Sequence, residues 1–384
     1  MIINRATVYR LDPTVEQAAT FAQWAGACRF VYNLALEQRR DYYRPGRSFS
    51  YNQQQGELTP LRADVDWLGA VPVHALQMAA LQMAVRSLEG AFQRFLYGLV
   101  QYPKPRRKGE RDSFSLPDPG YLGLRRLNKN RGAVKLPKVG WVKLILHRPL
   151  GGELRAVTVS RKAGHWYVSI AWRASIADPV PSNLSPVGID RGVAVFAALS
   201  TGEEIKPVNA FQGIEDKLAK AQRVLARKTK FSANWQKQQA KISRLHTRAA
   251  SARKNFLHQQ STKIAKSHGA IEIEKLLVRN MTASAKGTVA APGAKVAQKS
   301  GLNRAILDQG WGMFASLLKY KLAERGGTLI EVPAPTRREH VPVAASSTSE
   351  AAKIRRRSSA SPAATKTMPM LTPPKTYFRP GQWP

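Results

Sequence analysis

Apolar residues recur at spacings of three and four through Phe21, Trp24, Ala25, Cys28, Val31, Tyr32 and Ala35, which puts them on one buried stripe of a helix that Pro13 and Thr14 start and that runs to about Tyr43. A second stripe, Leu76, Ala80, Met83, Leu88 and Phe92, predicts another amphipathic helix over residues 71–96, its Met and aromatic content being core packing. Residues 2–11 read as a short edge strand, and "YPKPRRKGERDSF" as a basic Pro/Gly loop. From 133 to 174 the period drops to two ("KLPKVGWVKLILH", "LRAVTVSRKAGHWYVSIAWRA"), with Gly-containing breaks, which predicts antiparallel strands in a small sheet or barrel. After the linker "DPVPSNLSP" the order becomes strand, strand, strand, long helices, strand, helix, strand. "PVGIDRGVAVFAALSTGEEIKPV" reads as a three-stranded meander; Leu218, Ala221, Val224 and Leu225, then Ile242, Leu245, Ala249 and Phe256, mark the narrow stripes of two helices that bend at "KTKFSANW".

Charge changes this picture more than composition does. The 384 residues are 43% hydrophobic, enough for two or three domains with real cores. Lys plus Arg total 61 against 25 Asp plus Glu, a formal charge of +36, so a polyanion is the expected partner, nucleic acid ahead of a membrane surface. No apolar run approaches the roughly 18–20 residues of a membrane span, and "MIINRATVYRL" is no signal peptide, so export is not expected and the expected location is the cytoplasm. The single cysteine, Cys28, excludes an internal disulfide framework and every cysteine-based zinc site. Between Lys217 and Lys266 stand fourteen Lys or Arg and no Asp or Glu. Exposed helices ordinarily mix signs to avoid like-charge repulsion, so Lys217, Lys220, Arg223, Arg227, Lys228, Lys230, Lys237, Lys241, Arg244, Arg248, Arg253 and Lys254 are candidate phosphate contacts, joined by Lys104, Arg106, Arg107 and Lys108 of the basic loop.

Two carboxylates stand against this background. Asp190 ends "PVGID" and Glu274 ends "AIEIE"; on a strand Glu272 and Glu274 share the face opposite Ile271 and Ile273. Singly, such acids are turn formers or solvated ion-pair partners. Together, at the ends of separate buried strands in a chain that invites phosphate, they suit phosphodiester hydrolysis, in which two Mg²⁺ roughly 3.5–4 Å apart share carboxylates. One or two carboxylates seldom fix both ions, so a third acid is wanted.

The blocks "GIDRGVAVFAALSTG", "IEIEKLLVRNM" and "LNRAILDQGWGMFASLLKYKLAERGG" resemble the RuvC-like nuclease domain of the TnpB (OrfB) proteins of bacterial insertion sequences, RNA-guided DNA endonucleases related to the type V CRISPR effectors and often labelled transposases. "YRLDPTVEQAATFAQWAGACRFVYNLAL" resembles the family's opening, and the strands of 135–170 its barrel, so the similarity spans residues 1 to about 334. It implies an α+β multidomain chain: a wedge β-barrel (1–12 and 130–176) with an inserted helical recognition lobe and basic loop (13–129), a linker (177–185), and an RNase H-like α/β domain with a mixed sheet (186–334) that contains the basic helices (217–266). By motif position Asp190 matches the first catalytic Asp and Glu274 the catalytic Glu, both Mg²⁺ ligands, with Glu272 an outward neighbour. The implied partners are a guide RNA from the transposon end and double-stranded target DNA, in which guide pairing reads the target and the protein a short flanking motif.

The family pattern continues with a zinc ribbon of two C-x-x-C pairs and an A-D-x-N-A-A helix carrying the third catalytic Asp. Residues 335–384 have neither: they hold no cysteine, no acid after Glu350 and only His340 as a zinc ligand, and their composition is that of a disordered tail. Codon arithmetic explains the difference. In a frame made of the last base of each codon and the first two of the next, Met368 into Pro369 must yield alanine, and the following junctions permit D-V-N-A-A-K-N-I. Ser359/Ala360 and Pro362/Ala363 both permit cysteine, as do His340/Val341 and Val343/Ala344, each pair at C-x-x-C spacing. Every missing motif is admitted, which predicts a one-base frame change near Pro335. Asp308, on a helix in a block the family does not use catalytically, is the acid nearest to a substitute. Three functions are compatible: an RNA-guided, Mg²⁺-dependent DNA endonuclease impaired in this form, a nuclease-dead guide-dependent DNA-binding protein, and a transposase performing strand transfer.

Overall fold

A computed structural model describes residues 1–42, 49–65, 67–68, 75–110, 112–149 and 151–333. The tail with its expected zinc and third-acid positions lies outside them. Among the described residues no helix is long and apolar enough to cross a membrane.

The first half contains β1 (Ile2–Asp12), α1 (Val15–Asp41), α2 (Tyr51–Gly56), α3 (Leu58–Asp64), α4 (Ala75–Leu96), β2 (Ser113–Leu116), β3 (Gly123–Arg126), β4 (Arg131–Leu136), β5 (Gly140–Ile145), β6 (Glu153–Lys162) and β7 (His165–Ser175). The seven strands form one antiparallel sheet in the order β2-β6-β7-β1-β5-β4-β3. The edge reading of residues 2–11 is corrected: β1 is interior, paired with β7 from Ile2↔Ser175 to Arg10↔Tyr167 and with β5 at Arg10↔Ile145. Its partners lie far along the chain, so no local pattern reveals them. Two short strands, β2 and β3, fall within the stretch expected to be lobe and loop; four residues are too few to show a period. Among the described residues the end strands β2 and β3 are not paired with each other, and no closed barrel is formed by these pairings.

Thr14 caps α1, its hydroxyl accepting from the Gln17 amide at 3.2 Å while the Gln17 side chain accepts from the Thr14 amide at 3.1 Å. All seven stripe residues of α1 are buried. Phe21 and Trp24 press it onto the sheet against Phe114 and Trp166, with ring centroids 5.2–5.7 Å apart. The stripe of α4 is shifted: Leu81, Ala84, Val85 and Leu88 are buried, whereas Met83 and Phe92 are half-buried. The side chains of Leu76 and Ala80 lie outside the described residues. An apolar helix of this composition offers two adjacent phases, and packing on α1 chooses between them.

The second half contains β8 (Val187–Asp190), β9 (Ala197–Leu199), β10 (Glu204–Ile205), α5 (Glu215–Ala226), α6 (Ala233–Ser267), β11 (Ala270–Glu274), α7 (Val278–Met281), α8 (Val296–Gln309), α9 (Trp311–Ala323) and β12 (Thr328–Val332). The expected meander is present as β8, β9 and β10, and β11 joins parallel to both β8 and β12, giving a mixed sheet β10-β9-β8-β11-β12. Phe196, fully buried, stacks edge-on against Phe256 of α6 and Phe314 of α9 at 5.1 and 5.0 Å, locking both helices to the sheet. In the basic helices Leu218, Ala221 and Ala249 are buried and Leu225, Ile242, Leu245 and Phe256 half-buried, but Val224 is exposed; the deep contacts of α6 come from Leu257, Ile264 and Ala265. The linker is not free chain: the Ser182 amide donates to the Gly326 carbonyl at 3.1 Å. Gly326 has φ +71°, and a Cβ there would meet the Val180 carbonyl oxygen at 1.9 Å, so only glycine lets the two segments approach.

Lys321 of α9 is buried and donates to the His258 carbonyl and the Ser261 and Thr262 hydroxyls at 2.7–2.8 Å, fastening α9 to α6. Burial pushes its pKa down from 10.5 to about 8. The unfolded chain therefore binds more protons between those values, and stability rises with pH across that window; below about 8 the full burial cost is present. In denaturant titrations the parent should gain stability relative to Lys321→Met as the pH is raised through this range, and a constant difference would contradict the assignment.

Candidate active site and basic face

The acid pair is built by strand register. β8 and β11 run parallel with Val187 opposite Ile271 and Ile189 opposite Ile273, four buried residues that turn one sheet face into the core. The next residues on the two strands are Asp190 and Glu274, which alternation sends to the other face, on neighbouring strands about 4.8 Å apart. Asp190 is exposed and Glu274 half-buried, so both carboxylates are reachable from solvent; Glu272 is exposed one pleat back. The third sequence candidate is elsewhere: Asp308 is buried, ion-paired with Arg253 at 2.9 Å, and accepts from the Phe211 amide at 2.8 Å, which commits it to anchoring α8 on α6. Among the described residues no group of three or more His, Cys, Asp or Glu side chains converges as a metal-holding cluster. Cys28 is buried in the first core, where burial pushes its thiol up to about 12 and keeps it protonated.

One residue at this end of the sheet is not evident from the chain. Arg191, next to Asp190, is 8% exposed, and its guanidinium donates to the backbone carbonyls of Glu274 and Trp311. Burial draws its pKa down, and the nearby carboxylates of Glu331, Glu274 and Asp190 oppose that. In sequence it reads as one more surface arginine; only its place after a buried strand hints otherwise.

Most of the predicted cations are exposed: Lys217, Lys220, Arg223, Arg227, Lys230, Lys237, Lys241, Arg244, Arg248 and Lys254 on the α5–α6 hairpin, and Lys104, Arg107 and Lys108 on the basic loop. Three are not free in this way. Lys228 is half-buried at the bend; Arg253 pairs with Asp308; Arg106 stacks on Tyr32 at 3.7 Å and donates to Ser87 at 2.6 Å, so it fastens the loop to α1. Positive charge also gathers between α6 and the first sheet. His165 is held below its ordinary range by burial and then by Arg10 and Arg244, and His258 by burial and then by Lys321, Lys254 and Arg148. Arg10 and Arg148 escaped the sequence reading because they are isolated in the chain rather than clustered.

Two sequence profiles of the OrfB insertion-sequence family match: one described as "Probable transposase" over residues 157–285, and one described as "Helix-turn-helix domain" over residues 1–48. A protein of Escherichia coli (strain K12) named "Putative RNA-guided DNA endonuclease InsQ" is 39% identical over 333 residues, 86% of this chain and 80% of that one. This chain belongs to the OrfB family. An OrfB relative from Streptomyces pristinaespiralis, named "Putative RNA-guided DNA endonuclease", is 35% identical over 336 residues, 86% of this chain and 77% of that one. A solved Cas12f1–sgRNA–target DNA complex is similar at a TM-score of 0.42 and 11% identity, over 86% of this chain and 89% of that one. Among the described residues of the segment matched by the helix-turn-helix profile, this OrfB chain folds as β1 and the single unbroken helix α1.

Lys237, Lys241, Arg244 and Arg248 recur at helical spacing along one exposed side of α6. Replacing all four by Gln should weaken nucleic-acid binding and lower the slope of log affinity against log salt by about 0.9 for each phosphate that is no longer neutralised. Affinity measured across a salt series checks this; an unchanged slope would remove this face from the interface.

Proposed function

We propose that this chain is an insertion-sequence RNA-guided, Mg²⁺-dependent DNA endonuclease that is impaired in cleavage in its present form. The observation that carries the reading is the placement of Asp190 and Glu274 on adjoining residues of parallel strands, on one face and open to solvent. The names of the relatives, the excess of cations on the α5–α6 hairpin and the cations facing it from the first sheet support guide RNA and target DNA as partners. In this reading the seven-stranded sheet is the wedge, α1–α4 belong to the recognition lobe, and the mixed sheet with its helices is the RuvC-like domain.

The donor set fits magnesium in part. Two carboxylate oxygens of hard character suit one hydrated Mg²⁺, but two ions need more shared ligands than Asp190 and Glu274 supply. When bound, the ion would supply activation of water and neutralisation of charge at the phosphodiester. The residues' own part is to present two fixed negative charges where the phosphate chain, drawn by the basic hairpin, must pass. With a guide RNA from the adjoining element and Mg²⁺, cleavage should be slow and should fall at least about a hundredfold in Asp190→Ala, since loss of even an outer partner of a metal ligand costs 10–100-fold. Product formation that persists in Asp190→Ala would overturn the assignment. Tight guide-dependent DNA binding without product would favour the occupancy-only reading, to which the commitment of Asp308 to Arg253 already lends weight.

The same reading places the lost acid and zinc ligands in another frame of the gene from about Pro335 onward. Sequencing the DNA across codons 330–340 should reveal one base gained or lost relative to the InsQ-like frame. A chain rebuilt in the restored frame should bind zinc and cleave faster than this one. A gene with no such frame beyond codon 335 would refute it.

A further inference from the structure

Arg191 carries an inference beyond the acid pair. It leaves β8 directly after Asp190, and alternation sends the two side chains to opposite faces: Asp190 is exposed, Arg191 buried. The β8–β11 ladder ends at the Ile189–Ile273 pair. One residue further, the Lys275 amide donates to the Val332 carbonyl on the β12 side at 2.7 Å. The carbonyl in the same peptide unit, that of Glu274, therefore faces the β8 side, where no backbone donor of the ladder remains to meet it. The Arg191 Nη2 donates to that carbonyl, and Nη1 reaches the Trp311 carbonyl at 3.4 Å. A side chain thus replaces the next rung of the ladder and joins the end of β11 to the start of α9.

Taking a guanidinium out of water is expensive, and a hydrophobic residue would fill the space at less cost. Among the described residues no carboxylate lies within ion-pairing distance of Arg191, and its Nε has no acceptor. Its surroundings repay the cost only through two carbonyls and the longer-range attraction of Glu331, Glu274 and Asp190. A planar fork with two divergent donors is what holding two carbonyls from different elements requires, and lysine does not reproduce it.

We propose that Arg191 is a positioning residue: by holding the Glu274 carbonyl it sets the end of β11 against the end of β8, so that the Glu274 and Asp190 carboxylates grip one divalent cation together. This rests on the reading that the two acids hold such a cation. A purely electrostatic role makes the opposite prediction, because a fixed positive charge beside a cation site weakens binding and its removal should strengthen it.

Mn²⁺ affinity of the full chain, followed by electron paramagnetic resonance with thermal melting in parallel, tests this. The parent should bind Mn²⁺, and Asp190→Asn and Glu274→Gln should each abolish binding. Arg191→Lys, which keeps the charge, and Arg191→Met, which removes it and fills the space, should both weaken binding by about tenfold or more, as loss of an outer partner of a ligand does. Because both variants could perturb folding, only a loss of affinity with the melting transition retained supports the role. Unchanged or tighter Mn²⁺ binding in a folded Arg191 variant, with the two acid variants still inactive in binding, overturns the positioning role and leaves the cation reading intact. A parent chain that binds no Mn²⁺, or acid variants that bind it normally, overturns both.

Discussion

The parallel pairing of β8 with β11 is the constraint from which the rest of this structure follows. Two strands that run the same way cannot be joined by a tight turn; the chain must cross over the sheet to return to its starting end. Residues 191–269 make that crossover, and most of it is the α5–α6 hairpin. The demand that brings two acids to one end of a sheet is therefore the same demand that puts a long row of cations into the connection between their strands. A row of like charges of this kind attracts a polyanion.

Not every cation serves that purpose. Arg253 neutralises Asp308 and Lys321 is consumed by three oxygens of α6, so both stitch helices together, while Arg106 is flattened on Tyr32. Arg5 similarly pairs with Glu324, tying β1 of the first sheet to the end of α9. Lys321 and Asp308 are buried and Arg253 and Arg106 half-buried, whereas Arg5 is exposed. The free cations sit on the exposed side of α5 and α6, away from the Phe196–Phe256–Phe314 core that holds the hairpin in place. Apart from Arg5, the division between these anchoring charges and the free ones is a division by depth.

The acid pair itself is economical in what it asks of the fold. Four apolar residues, Val187, Ile189, Ile271 and Ile273, bury one face and so determine the other by alternation. Among the described residues no third carboxylate joins the pair as a metal-holding cluster, and the acid named as a substitute, Asp308, is turned toward α6. Every described strand of the mixed sheet precedes residue 334.

The helix α1, with all seven of its stripe residues, was legible in the chain because helical periodicity is a local property, and the same holds for the alternation of β4–β7 and for the acids at the ends of β8 and β11. The absence of acids from 217 to 266 was likewise plain without coordinates. Local patterns do not report partners. The interior place of β1, the end strands of the first sheet, the phase of α4 and the commitment of Asp308 to Arg253 were decided by residues tens to hundreds of positions away. Arg191 is the sharpest case: sequence alone makes it a surface charge, and only the end of a ladder more than eighty residues distant turns it inward, because an unpaired carbonyl there had to be met.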